Sequence, residues 1–220
     1  MAAGIVQSTE IVTLVGGGPL PAGALAAALG LGPRIVAADG GAAAVMAAGH
    51  VPDAVIGDFD SLDARVRAAI PPARLHHDPD QETTDFEKAL SQITAPLILA
   101  VGCTGGRLDH ELAAFNALIK HDKGPVLLIG DEDICFALTG PLTLPVGAGT
   151  RVSLFPMAEV RCASTGLRWP TDHLTFRPWG RVGTSNAAVD PDITLTPGGP
   201  GMLVILPRAT LPAVSRALTG

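Results

Sequence analysis

Apolar and polar residues alternate in two different textures along the chain. Over roughly the first two thirds, short apolar runs at residues 11–15, 34–38, 54–56, 96–101, 126–129 and 134–138 are separated by segments of helical period. Between residues 84 and 93, Phe86, Ala89, Leu90 and Ile93 fall at i, i+3, i+4 and i+7, a spacing that predicts an amphipathic helix. Leu112, Phe115 and Ile119 predict the buried face of the next helix. Asn116 lies at i+4 from Leu112, on or beside that face, where a buried amide needs a partner; a loop carbonyl and a bound ligand both qualify. Alternating strands and helices of this kind predict βα units and a mostly parallel sheet. From about Leu144 the texture changes to short runs at 151–155, 173–176 and 202–206, split by Gly and Pro, with no helix before the last few residues. The expected architecture is therefore a Rossmann-like α/β domain over 1–142, followed by an antiparallel β-sandwich over 143–220.

Composition narrows this further. At 220 residues, 47% hydrophobic and 16% charged, the chain reads as globular, not disordered. Residues 11–33 carry no charge and are long enough to span a bilayer, but six glycines and three prolines there read as turns of a soluble α/β unit. No Lys or Arg precedes Arg34, so the basic start of a secretory signal is missing, and a soluble protein without membrane association is expected. Cys103, Cys135 and Cys162 stand far apart without a CxxC, which argues against a disulfide framework or zinc and for reduced thiols in the cytoplasm. The net charge of −6 excludes a general nucleic-acid or anionic-membrane binder.

The charged residues are not spread evenly. Asp39, Asp58 with Asp60, Asp85, and Arg107 with Asp109 all follow apolar strands, where open α/β sheets bind their ligands. From Asp53 to Asp85 eight acids face three basic residues, a net of −5. Such a concentration is ordinary turn and cap chemistry, or it is neutralised by a cation. Mg²⁺ suits it, because that ion takes hard oxygen ligands, needs only one or two carboxylates and shares the rest of its shell with waters and phosphates. Ser61 is expected to cap the helix after Asp60. In residues 80–90, Thr83 or Thr84 can cap the helix; Asp85 suits its positive end, and Lys88, one turn on, adds a phosphate-binding amine. In residues 102–116, glycines allow close backbone approach, Arg107 offers a planar fork and Asp109 an acceptor. His76, His77 and His110 lack companions at metal-ligand spacing and are read as solvent-facing or as neighbours of helix N-caps. Trp169 and Trp179 are read from aromatic statistics as core. Walker A, GxGxxG, GxSxG and HExxH patterns are absent.

In this order, ADGG (38–41), PDAVIGDFDS (52–61), DQETTDFEKAL (80–90), GGRLDHELAAFN (105–116), TGLRW (165–169) and TSN (184–186) resemble the thiamine pyrophosphokinase family over nearly the whole chain. The resemblance implies Mg²⁺-dependent transfer of a diphosphate group from ATP to the hydroxyl of thiamine, leaving AMP, by a homodimer whose subunits share each active site. It implies metal and diphosphate binding by Asp58, Asp60 and Asp85. Asp39, Gln81, Thr84, Lys88, Arg107, Asp109 and Asn116 fall toward the nucleotide, and Trp169, Ser185 and Asn186 toward thiamine. Two other readings share the acidic motifs: a pyrophosphokinase acting on a hydroxymethylpterin, and a non-catalytic nucleotide or thiamine sensor.

Overall fold

The computed structural model describes residues 4–220, and the chain divides into two compact units between Asp131 and Glu132. The first unit holds strands β1 (Val6–Gln7), β2 (Val12–Val15), β3 (Arg34–Ala38), β4 (Ala54–Gly57), β5 (Leu75–His77), β6 (Ile93–Thr94), β7 (Ile98–Val101) and β8 (Val126–Ile129). Its helices are α1 (Ala24–Leu31), α2 (Gly41–Ala47), α3 (Ala64–Ala69), α4 (Asp85–Ser91) and α5 (Leu108–Lys120). Six strands form a parallel sheet in the order β8-β7-β2-β3-β4-β5, while β1 and β6 pair separately. Every residue of β2, β4, β7 and β8 is buried, as parallel strands covered on both faces require. From β2 the chain adds β3, β4 and β5 on one side, then returns to add β7 and β8 on the other. The crevice at such a reversal is where an open α/β sheet accommodates ligands.

Helix α2 begins so close to β2 that a Cβ on Gly41 would stand 2.1 Å from the Val15 carbonyl oxygen. The loops after β2 and β7 meet with equal economy: Gly18 N–H donates to Gly102 O at 2.8 Å, and a Cβ on Gly16 would lie 2.6 Å from that same oxygen. Glycine is the residue that fits.

Several expectations need correction. Helix α4 stops at Ser91, and Ile93 instead pairs with Val6 in the short parallel ribbon, still buried. Helix α5 is rotated from the expected phase. Ala114, Ala117 and Leu118 form its buried stripe, Leu112 is 56% exposed, and Asn116 lies on the exposed side. Ser61 does not cap α3; Asp63 does, accepting from Arg65 N at 2.7 Å and Val66 N at 3.3 Å.

The second unit contains β9 (Asp133–Leu138), β10 (Leu142–Leu144), β11 (Arg151–Pro156), β12 (Val160–Thr165), β13 (Thr175–Phe176), β14 (Gly183–Ala187), β15 (Ile193–Pro197), β16 (Met202–Pro207) and the terminal helix α6 (Leu211–Thr219). Strands β14-β11-β16-β9 pair antiparallel, as do β10-β15-β12-β13. Strand β9 pairs with β16 along its length, from Asp133 with Pro207 to Leu138 with Met202. That pairing places residues 133–138 in the second unit, not in a first domain ending at 142 as the change of texture suggests. Neither tryptophan is core: Trp169 is 57% and Trp179 75% exposed. Among the described residues no helix is long and apolar enough to cross a membrane.

Candidate active site

A cavity of about 540 Å³ opens at the carboxyl ends of β2, β3 and β7. Glycines 16, 17 and 18 form one wall, Cys103 and Thr104 another, and Asp39, Thr84, Asp85, Arg107 and His110 bring the polar groups. Burial pushes the Cys103 thiol up to about 12, so it is a neutral wall and not a nucleophile at pH 7. His110 is exposed, as expected, and also takes part in this lining.

Three carboxylates gather at one side. Asp39, Asp58 and Asp60 each offer an oxygen, and these atoms all lie within 4.8 Å of one another. Asp39 sits at the end of β3 with φ 41°, and Phe59, between the other two acids, has φ 67°. Left-handed backbone at non-glycine residues is costly and is kept where the surroundings dictate it. Here Ser61 N–H donates to Asp39 Oδ2 at 3.0 Å, while the Phe59 ring lies against His77 and beneath the Arg67 guanidinium. Gly57 makes room for the group, since a Cβ there would come within 2.8 Å of Asp39 Cβ and 3.2 Å of Asp85 Oδ1. Sequence reasoning missed Phe59 and Gly57; neither carries a polar group that would have marked it.

The three acids differ sharply in environment. Asp39 is 1% exposed, and its Oδ1 has no hydrogen-bond donor. Burial raises its pKa, reinforced by the charges of Asp85, Asp58 and Asp60 and opposed by the bond from Ser61. Asp58 is lowered, first by the N–H of Asp60, which closes an Asx-type turn at 3.2 Å, then by Gln81 Nε2 at 3.1 Å, and further by Lys88. Both readings of Asp58 therefore hold, turn residue and member of a charged cluster. Asp60 is exposed and accepts from Ser61 Oγ at 2.8 Å.

Asp85 is not within the 4.8 Å group, contrary to the expected Asp58, Asp60 and Asp85 trio. It is linked to the cluster through Lys88. The ammonium, 3% exposed at the side chain, donates to Asp58 Oδ2 at 3.2 Å and Asp85 Oδ1 at 3.1 Å. Burial works to lower the Lys88 pKa, and its bonds to the two carboxylates more than offset this, so the group is raised and stays charged. Thr84 caps α4, accepting from Glu87 N at 3.3 Å.

The remaining expected residues are dispersed. Arg107 lines the cavity and forms a two-bond pair with Asp109, at 3.1 and 2.6 Å, that is largely exposed and holds the Asp109 carboxyl down at about 2. Asn116 is outside the cavity lining. In the second unit, Trp169 projects beside the Arg168 guanidinium, 5.6 Å from its ring centre, and Ser185 holds a left-handed φ of 61°. Asn186 is buried against the backbone of Trp169.

Family models for the thiamin pyrophosphokinase catalytic domain and the thiamin pyrophosphokinase vitamin B1 binding domain match residues 32–129 and 142–197. The chain belongs to the thiamin pyrophosphokinase family. Thiamine pyrophosphokinase 1 of Oryza sativa subsp. japonica is 28% identical over 166 residues, 67% of this chain and 63% of that protein. Thiamine pyrophosphokinase 1 of Arabidopsis thaliana is 29% identical over 169 residues, 66% of this chain and 62% of that protein. The chain thus spans under two thirds of the curated relatives it matches. The fold matches the structure of thiamin pyrophosphokinase from Candida albicans with a TM-score of 0.78 at 18% identity, covering 92% of each chain. It matches that from Geobacillus thermodenitrificans with 0.74 at 27%, covering 90% of this chain and 97% of the other. The catalytic-domain match of this family spans the whole acidic group, from Asp39 to Lys88.

Proposed function

We propose that this protein transfers the diphosphate group of ATP to the hydroxyl of thiamine, releasing AMP and thiamine diphosphate, with Mg²⁺ as the divalent ion. In this reading a Rossmann-like first unit holds nucleotide and cation, and a β-sandwich second unit supplies Trp169, Ser185 and Asn186 to the thiamine side. The observation that carries it is the Asp39 Oδ1 atom, buried and without a donor at the wall of the cavity, with carboxylate oxygens of Asp58 and Asp60 within 4.8 Å of the Asp39 carboxylate. Carboxylate oxygens are the donors a hard cation takes, so Asp39, Asp58 and Asp60 fit the group and would hold it. When bound, such an ion neutralises phosphate charge during transfer.

The chain's own groups have separable tasks. Lys88 keeps Asp58 and Asp85 apart in charge and fixed in direction, so that two like-charged acids can share one small region. The glycines of the turns after β2 and β7 expose backbone to the cavity, which suits close approach of phosphates. Arg107 stands at the cavity edge with its guanidinium exposed, available to negative charge on the nucleotide. Attack by the thiamine hydroxyl oxygen on the β-phosphorus forms one O–P bond and breaks the bond to the oxygen bridging the α and β groups, which departs with AMP, while the hydroxyl proton passes to an aspartate carboxylate of the acidic group. Three free cysteines support a reducing, cytoplasmic setting, and family membership with the exposed Leu108 and Leu112 supports a homodimer. No observation favours a pterin substrate or a non-catalytic sensor.

The test is an AMP-release assay with purified protein, ATP, Mg²⁺ and thiamine, omitting each in turn. Only the complete mixture should yield AMP and thiamine diphosphate in equal amounts. AMP without thiamine, or turnover of a hydroxymethylpterin in its place, would overturn the reading.

A further inference from the structure

Between Gly57 and Leu62 the chain reads Asp58-Phe59-Asp60-Ser61, one apolar side chain among three polar ones just after β4. The ring is nevertheless held on two sides. Its centroid lies 5.5 Å from that of His77 on β5, tilted by 51°, and Arg67 Cζ on α3 lies 5.1 Å from it. These are the separations of a tilted ring pair and of a cation over a π face. The backbone beneath is left-handed, φ 67°, which a phenylalanine adopts only at a cost. In that conformation the chain turns back on itself: Asp60 N–H donates to Asp58 Oδ1 at 3.2 Å, and Ser61 N–H to Asp39 Oδ2 at 3.0 Å. Carboxylate oxygens of Asp39, Asp58 and Asp60 thereby come within 4.8 Å of one another. Backbone strain and like-charge repulsion both favour opening of this turn. From the two partners of the ring we infer that Phe59 is a positioning residue: clasped between His77 and Arg67, it holds Asp58 and Asp60 toward Asp39 and so sets the affinity of the acidic group for a divalent cation.

Each side of the clasp is anchored separately. His77 pairs with Gly57 in the parallel sheet, and the next residue, Asp78, donates its N–H to Gly57 O at 2.9 Å. Arg67 sits one turn into α3, where its N–H donates to the carbonyl of the capping Asp63 at 2.9 Å, and Leu62 and Ile70 on either side of that helix are buried. Phe59 thus ties the acidic turn to an edge strand and to a capped helix at once. Lys88 bonds to Asp58 and Asp85, so the ammonium does not do this for Asp60. Arg67 also has a second, opposing effect, because its positive charge near the acids disfavours a cation. A group of ligands held together before the ion arrives binds it without first having to be gathered.

The clasp rests on the reading that the acidic group holds a divalent ion, and the experiment separates the two. Mn²⁺ alone is titrated into nucleotide-free protein, and the free ion is followed by its electron paramagnetic resonance signal, so no turnover is involved. Phe59→Ala should weaken Mn²⁺ binding about tenfold, the scale of losing a group that orients a metal ligand, while circular dichroism stays native. Phe59→Tyr keeps the ring and should bind as the parent does. Arg67→Met tests the cause by its sign: if charge alone acts there, binding tightens, whereas loss of the cation over the ring should weaken it about threefold. A lower melting temperature with parent-like Mn²⁺ affinity in Phe59→Ala would make the ring mere filling and overturn the clasp, as would equal or tighter binding in Arg67→Met; either leaves the cation reading standing. A parent that takes up no Mn²⁺, or takes it up undiminished in Asp39→Asn, would overturn the cation reading and the clasp with it. Should Phe59→Ala not fold, Phe59→Leu keeps apolar bulk without an aromatic face and is judged by the same titration.

Discussion

Two basic side chains stand at the same end of the parallel sheet, each bonded to acids, and they could hardly be placed more differently. Lys88 is 3% exposed and joins two carboxylates that belong to separate elements; Arg107 is 71% exposed and grips Asp109, two residues along its own chain. The first grouping is an internal part, since the buried ammonium is the shared counter-charge of two partly exposed carboxylates and its removal leaves them facing each other unpaired. The second is a surface pair, screened by solvent and already satisfied locally, of little consequence for the fold. Proximity to the cavity alone therefore does not say how a charge acts; burial decides whether it shapes the site or only borders it.

That contrast can be broken or sharpened by substitution. The largest effect is expected from Asp58→Asn, which should reduce AMP formation by about a thousandfold, the scale of losing a principal electrostatic contact in a transfer reaction, while circular dichroism stays native; undiminished turnover would remove Asp58 from the reaction. Lys88→Met comes next. It leaves Asp58 and Asp85 facing each other, and after allowing for their partial exposure a loss of about 2 kcal/mol in urea unfolding is expected; an unmoved midpoint would mean that the buried grouping contributes nothing.

Asp39→Asn should act in the opposite direction. Burial raises the folded-state pKa of Asp39, so the folded chain holds that proton to higher pH than the unfolded one, and stability is lost as pH rises through the raised value. The amide should then melt a few degrees higher at neutral pH, a gain of about 1 kcal/mol, with the advantage vanishing below the ordinary carboxylate range. Magnesium should raise the melting temperature of the parent and not of the variant. A variant that melts lower at pH 7 would contradict the placement of Asp39. Arg107→Ala closes the series: the melting temperature should not move, and only the KM for ATP should rise, several-fold.

Much of this was legible from the sequence because the signals were local. Continuous apolar runs bounded by Gly and Asp marked the parallel strands, and Thr84 before Asp85 marked a helix start that the structure reproduces. The failures were of phase and of distance. In α5 the large apolar residues drew the expected buried face toward Leu112, whereas the helix buries Ala114, Ala117 and Leu118. Asn116 was carried to the wrong side by that same error. Ser61 looked like a cap, but Asp63, one residue before α3, was better placed to receive its first N–H groups. The grouping of Asp39 with Asp58 and Asp60 depends on the register of β3 against β4, which no short motif encodes. The engagement of Asn186 was likewise invisible, since a buried amide and a ligand-binding amide have the same letter.

The lone oxygen of Asp39 bears on how this protein is prepared. Under the proposed cation role, dialysis against EDTA withdraws a solute that relieves it, so chelated stocks should be softer and clip more readily under trypsin than stocks kept in magnesium chloride. A calorimetric trace taken in a phosphate buffer with chelator would then understate the robustness of the molecule that works in the cell.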